Sequence, residues 1–394
     1  MQKENPYSIY AVAHTDQAVL PFNNRGRTVR IVFASNIETQ RVSVRFANYY
    51  GDTPLPVGAV SLAPCDKNGS LHSGSILPVT VEGKLAFELA PGEVCSSNPI
   101  DLAIFPGDHV ALSIYYPGEQ RVVSGNRLGN LTLRSKPGNY CVQETFPAPD
   151  LISRFSRTMM ASGATAQVTT VCEIIAQSEK PHRVLACFGD SITQQGNWTV
   201  PLQKLLLRRY PGQVSLCNLG IGGNRLLHAS PPEARGAYGP AGVERFERDV
   251  LGLHGLHYVV LALGLNDIGL PGTQGAPEED LIDLPQYRAA MEGLALRLHQ
   301  KKVAVYAATL TPRSLQKPYD GKRESVRCAL NDWIKTAGCF DAVLDFDKVL
   351  RREDGLPGMK EQFALPDGLH PSPLGGLWMA KSIDLSLFGG ESIA

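Results

Sequence analysis

Arg183-Val184-Leu185-Ala186-Cys187-Phe188-Gly189-Asp190-Ser191 is an apolar run that stops at a glycine and then presents a serine. A strand that is apolar along its whole length belongs in a sheet covered on both faces, because a half-exposed strand would alternate. The tight turn after Phe188 puts the Ser191 hydroxyl at the mouth of such a sheet, with its backbone N–H pointing into the same space. The pattern recurs downstream. Val214–Leu219, Tyr258–Leu263, Val303–Leu310 and Ala342–Phe346 are further apolar runs, separated by amphipathic stretches. Arg323–Ala337 carries Val326, Leu330, Trp333, Ile334 and Ala337 at helical spacing, and Gln286–Gln300 carries Met291, Leu294 and Leu298. A further helix is expected to begin around Trp198. Repeated βα units predict a doubly wound α/β domain over 181–394, with ligands at the C-terminal ends of its strands.

Upstream the period changes from helical to alternating. Thr28–Ser35, Arg41–Asn48, Val79–Leu89, His109–Tyr116 and Gln167–Ile175 read as strands, with Gly, Pro, Asn and Asp clustered between them. Residues 1–180 are therefore expected to form an all-β domain, a sandwich or jelly roll, with the boundary in 176–182. Tyr49-Tyr50 and Tyr115-Tyr116 offer rings for stacking on sugars, although aromatics in strands more often serve the core or cross-strand pairs.

Bulk composition narrows the function. Lys plus Arg equals Asp plus Glu, 38 each, so nothing in the net charge points to nucleic acid or an anionic membrane. There is no apolar run of membrane-spanning length and no secretory leader, so membrane insertion is not expected and a cytoplasmic location is. The eight cysteines are scattered without a C-x-x-C pair and read as free, mostly buried thiols. A homo-oligomer is compatible with this composition.

Four segments carry chemistry, each after a predicted strand or near the C-terminus. The first is Gly189-Asp190-Ser191-Ile192-Thr193. The second, Asn218-Leu219-Gly220-Ile221-Gly222-Gly223-Asn224-Arg225, is glycine-rich, but Arg225 stands where a dinucleotide loop needs its third glycine. The third, Leu263-Gly264-Leu265-Asn266-Asp267-Ile268-Gly269, offers a side-chain amide at a strand end. In the fourth, Asp367-Gly368-Leu369-His370, a carboxylate three residues before a histidine can fix its tautomer and stabilise the imidazolium. No other histidine has such a partner in a motif; His228, His254 and His257 read as surface or packing residues. No H-E-x-x-H and no cysteine cluster completes a metal site, so neither metal nor cofactor is expected. Together the segments supply a nucleophile, Ser191, and an oriented base, His370 with Asp367. They also supply three oxyanion donors, the Ser191 and Gly223 amides and the Asn266 side chain, with Asp190, Asp267 and Arg225 in supporting positions. No G-x-S-x-G elbow surrounds any serine, which disfavours the α/β-hydrolase fold.

These blocks, in this order across 181–390, resemble the GDSL/SGNH hydrolases. Gly189-Asp190-Ser191-Ile192-Thr193 is similar to the first family block, Gly223 to the second-block glycine and Asn266 to the third-block asparagine. Asp367 and His370 are similar to the Asp-x-x-His of the fifth. Asn331-Asp332-Trp333-Ile334 and Asp345-Phe346-Asp347 extend the likeness. Val42-Ser43-Val44-Arg45 and Asn48 to Gly51 also resemble the β domain that precedes the hydrolase in a bacterial subgroup. Pro366-Asp367-Gly368-Leu369 departs from the more polar context usual there. The resemblance implies a flavodoxin-like sheet of order 2-1-3-4-5 and a serine esterase acting on small-molecule or oligosaccharide esters. Deacetylation of acetylated sugars is the leading expectation. The alternatives are a lipase or lysophospholipase for longer acyl chains, with Leu226, Leu227, Leu270 and Phe363 as candidate pocket residues, an acyltransferase, and a non-catalytic glycan-binding protein.

Overall fold

The computed structural model describes residues 4–18, 25–119, 121–126, 132–145, 150–152 and 169–389. The run that opens on Arg183 is strand β1, Arg183–Gly189, buried from Val184 to Gly189. It lies inside a five-stranded sheet with β2 (Val214–Asn218), β3 (Leu256–Ala262), β4 (Ala304–Ala308) and β5 (Ala342–Leu344), ordered β2-β1-β3-β4-β5. That is the predicted 2-1-3-4-5 order, and the β3–β4 and β4–β5 ladders are parallel.

The helices follow the predicted stripes. Leu284–His299 buries Tyr287, Met291, Leu294, Ala295 and Leu298, and is started by a capping box in which Asp283 and Gln286 exchange side-chain-to-backbone bonds. Gly321–Thr336 is capped by Asp320 and buries Leu330 and Ile334. The helix expected near Trp198 is Thr199–Arg209. A shorter one, Ser191–Gln194, precedes it where only a turn was expected; Asp190 caps it by accepting the Ile192 N–H.

The chain separates into two compact units, Met1–Val184 with Tyr210–Cys217, and Leu185–Arg209 with Asn218–Ala394. The first is rich in antiparallel β-structure. One of its sheets runs Asn5–Ala11, Val171–Ser178, Thr39–Ala47, Ile100–Ile104, with Val94–Ser96 also paired to Thr39–Ala47. A second is centred on His109–Tyr116 between Arg27–Ala34 and Ala59–Cys65, with Val110, Leu112 and Ile114 buried opposite Phe33, Ile31 and Val29. Val79–Leu89 is not one strand: only Phe87–Leu89 is extended, because Glu82 and Gly83 take positive φ and turn the chain back at Val81–Lys84. Of the Gln167–Ile175 strand, residues 167–168 lie outside the described residues; the strand itself is Val171–Ser178. Tyr116 belongs to the core, with its hydroxyl bonded to Thr170. All eight cysteines are free, five of them buried. Among the described residues no helix is long and apolar enough to cross a membrane.

Candidate active site

Ser191 stands directly beyond β1. Gly189 must be a glycine, because a Cβ there would lie 2.1 Å from Thr193 Oγ1. The Asp190 cap then starts the short helix at Ser191, whose side chain keeps only slight exposure. Ser191 Oγ lies 2.8 Å from His370 Nε2, and His370 Nδ1 lies 2.9 Å from Asp367 Oδ2. Asp367 Oδ1 also accepts the backbone N–H groups of Leu369 (3.0 Å) and His370 (2.9 Å). Gly368, at φ +64°, makes this turn possible, and it brings the carboxylate back beneath the imidazole. With Nδ1–H donated to Asp367, the Nε2 lone pair faces the serine hydroxyl.

The residues expected as oxyanion donors, Gly223 and Asn266, lie in the next two motif loops. Neither the Ser191 nor the Gly223 N–H donates to any other described residue. Gly223 has φ +74°, and a Cβ would enter the Tyr238 ring at 2.4 Å. Asn266 Nδ2 donates to the Asn224 carbonyl (3.1 Å) and, at a weak 3.4 Å, to Asp190 Oδ2. Asp267 is wholly buried and accepts the Leu226 and Leu227 N–H groups at 2.7 and 3.0 Å, fixing the end of the glycine-rich loop. Arg225 pairs with Asp280 at 2.7 Å and donates to the Ala229 carbonyl, so it braces that loop.

Residues 187–376 match the model of the GDSL-like lipase/acylhydrolase family. This stretch is a GDSL-like lipase/acylhydrolase domain. Solved structures similar to the chain include a lipase/acylhydrolase from Enterococcus faecalis, at 20% identity, covering 52% of this chain and 96% of that one, with TM-score 0.40. An acetylxylan esterase from Geobacillus stearothermophilus has 20% identity, covers 53% and 95%, and has TM-score 0.39. A GDSL-like lipase from Bacteroides thetaiotaomicron has 18% identity, covers 57% and 92%, and has TM-score 0.36. No curated protein matches the chain by sequence.

Electrostatics differ among three aspartates of the motif segments, Asp190, Asp267 and Asp367. Burial pushes Asp190 up to about 6 against the Ile192 N–H and the charges of His370 and Arg245. Burial likewise pushes Asp267 up to about 6 despite its two N–H donors and Arg225. Burial acts on Asp367 too, but the His370 ring and two backbone donors outweigh it and hold its carboxyl well below the usual range. Asp367 is thus a stable anion beside the imidazole. Among the described residues no group of three or more His, Cys, Asp or Glu is placed to hold a metal ion.

Two residues escaped the sequence reading. Arg245, wholly buried, donates to the carbonyls of Gly189 and Leu219 (both 3.0 Å) and to Asn224 Oδ1 (2.9 Å), and pairs with Asp249. It clasps the first and second motif loops of the GDSL-like domain together, and no local pattern announces it. Arg313 is the other. Outside any motif, His299 Nε2 lies 2.9 Å from Asp341 on an open surface, and His228 Nδ1 lies 3.6 Å from Asp280.

Proposed function

We propose that the chain is a serine esterase that removes acetyl groups from O-acetylated sugars or oligosaccharides. The observation that carries the esterase part is the Ser191–His370–Asp367 relay, 2.8 and 2.9 Å between its members. His370 takes the Ser191 proton as Oγ attacks the ester carbonyl. The tetrahedral oxyanion is held by the Ser191 and Gly223 amides and the Asn266 side chain, and the alcohol leaves with the proton from His370. Water, deprotonated by the same imidazole, then releases the acid from the acyl-enzyme and restores Ser191.

Of the four residues considered for a long-chain pocket, Leu226 is completely buried and Phe363 is buried against Trp378 and Lys360, while Leu227 and Leu270 keep partial exposure. The acyl length is therefore decided by the substrate series.

The test is initial rates on p-nitrophenyl acetate, butyrate and octanoate for the wild type, Ser191→Ala and Asn266→Ala. Acetate should be the best substrate. Ser191→Ala should lose at least about 10^4-fold in kcat, and Asn266→Ala about 10²- to 10³-fold. Octanoate preferred over acetate would hand the case to the lipase reading. Activity surviving in Ser191→Ala would remove the nucleophile assignment.

A further inference from the structure

Arg313 takes no part in the relay, yet it is tied to both sides of it. It follows β4 through Thr309-Leu310-Thr311-Pro312, at the strand end where the motif loops also stand. Asn331 fixes that segment by bonding both backbone groups of Leu310, at 2.7 and 2.9 Å. The Arg313 guanidinium stacks on Tyr319, 4.2 Å from the ring centroid. Its Nη1 closes on Gly269, the last residue of the helix Leu265–Gly269 that carries Asn266; a Cβ there would lie 2.5 Å away. The next residue, Ser314, donates its N–H to the Gly368 carbonyl at 2.8 Å, inside the Asp367–His370 turn.

What sets Arg313 apart is its lack of an acceptor. Its Nε is buried without a hydrogen-bond partner, and among the described residues no ion pair or hydrogen bond holds the rest of the guanidinium. Four neighbours in the same unit behave otherwise. Arg225, Arg245, Arg323 and Arg327 each hold a carboxylate and at least one carbonyl. The two carboxylates whose charge reaches Arg313 are engaged elsewhere, Asp367 by His370 and two N–H groups, Glu324 by Arg327 and the Tyr319 hydroxyl. Burial lowers the pKa of Arg313, and the like charge of Arg323 adds to that; Tyr319, Asp367 and Glu324 oppose it. A partly desolvated cation without an acceptor among the described residues is an unfavourable arrangement that an incoming anion relieves.

We infer that Arg313 is an anion-recognition residue of this site, and that the ester carries a carboxylate placed to meet its guanidinium. One planar fork with a single positive charge matches a planar monoanion, and the stacked Tyr319 holds the fork ready. This inference rests on the esterase reading and narrows it to esters of acidic molecules, for which an acetylated acidic sugar is the natural form.

Two matched substrate pairs test it. In 4-acetoxybenzoate against its methyl ester the carboxylate lies on the alcohol side. In 4-nitrophenyl hemiglutarate against 4-nitrophenyl pentanoate it lies on the acyl side. The readout is kcat/KM for the charged ester divided by that for its neutral partner, a ratio in which incomplete folding cancels. The wild type should show a ratio above about 10 in one pair, carried mainly by KM, and Arg313→Gln should lower it about tenfold or more. Arg313→Lys should fall between, since it keeps the charge and loses the fork. Wild-type ratios near one in both pairs, or a ratio unchanged in Arg313→Gln, overturn the assignment. If the neutral esters are then still hydrolysed and Ser191→Ala is inactive, the esterase reading stands without it. Hydrolysis that survives Ser191→Ala overturns the esterase reading, and this inference with it.

Discussion

Both units of this chain bury charge; the antiparallel one compensates it at Arg30 and Glu173, and the GDSL-like one compensates it at Arg225, Arg245, Arg323 and Arg327 but not at every group. In the antiparallel unit the guanidinium of Arg30 is almost wholly inaccessible and saturated. It donates to Ser113 Oγ and to the carbonyls of Gly69, Tyr140, Gln143 and Glu144. Glu173, equally buried, is bonded by Ser8 and paired with Arg45 at 2.7 Å. At three groups of the GDSL-like unit, by contrast, compensation is incomplete: burial outruns it at Asp190 and Asp267, and Arg313 has no acceptor among the described residues. A saturated charge holds a loop in place; an under-compensated one can respond to a ligand or to pH. The difference separates polar groups that serve the fold from those that serve a site.

Three experiments probe the contrast. The largest effect is expected where the compensation is most complete. Arg30→Met takes the side-chain donor from Ser113 Oγ and from the carbonyls of Gly69, Tyr140, Gln143 and Glu144, and should lower unfolding stability by at least about 3 kcal/mol. Denaturant melts measure this, while p-nitrophenyl acetate hydrolysis below the transition should stay within about twofold. A small stability loss would mean that saturation is no guide to structural weight.

The second concerns pH. Burial pushes Asp267 from the ordinary 3.8 up to about 6, so the native state binds its proton more tightly than the unfolded chain. Its contribution to stability is fully present below pH 3.8 and is lost as pH rises through about 6. Asp190 has the same sign. Asp367 runs the other way, its contribution present above 3.8 and lost as pH falls through its depressed folded value. The stability of the wild type relative to Asp267→Asn should therefore fall by up to roughly 3 kcal/mol between pH 4 and pH 7. A difference that stays flat across that range would show that the two N–H bonds to Asp267 fully offset its burial.

The smallest effect is expected at His299. Its contact with Asp341 is 2.9 Å, the same length as that between His370 and Asp367. The His299 and Asp341 side chains are 41% and 34% exposed, against 16% and 19% for His370 and Asp367. An exposed pair contributes little, and no serine stands at the other nitrogen among the bonds of His299. His299→Ala should leave both ester hydrolysis and melting nearly unchanged, which rate assays and melting curves check side by side.

Much of this was legible from local pattern. Largely apolar runs gave the strands of the parallel sheet, because a strand covered on both faces is mostly apolar, and the family resemblance anticipated their order. The four motif segments also contained the residues that meet around Ser191. Where a strand was misjudged, at Val79–Leu89, composition suited a strand but two residues with positive φ turned the chain. Tyr115-Tyr116 was open to a sugar-stacking reading until Tyr116 was found in the core.

By itself, then, the sequence marked the strands of the sheet and the motif segments holding Ser191, Asp367 and His370, while the order of the strands came from the family resemblance. Strands and motifs depend on residues within a few positions of one another, whose periodicity and turn chemistry act locally. Only the tertiary structure decided that Arg245 clasps two loops, that Asp190 and Asp267 are raised by burial, and that Arg313 stays unpaired beside the relay. Those properties are sums over groups brought together from distant parts of the chain, and desolvation and hydrogen-bond saturation exist only once those groups surround one another.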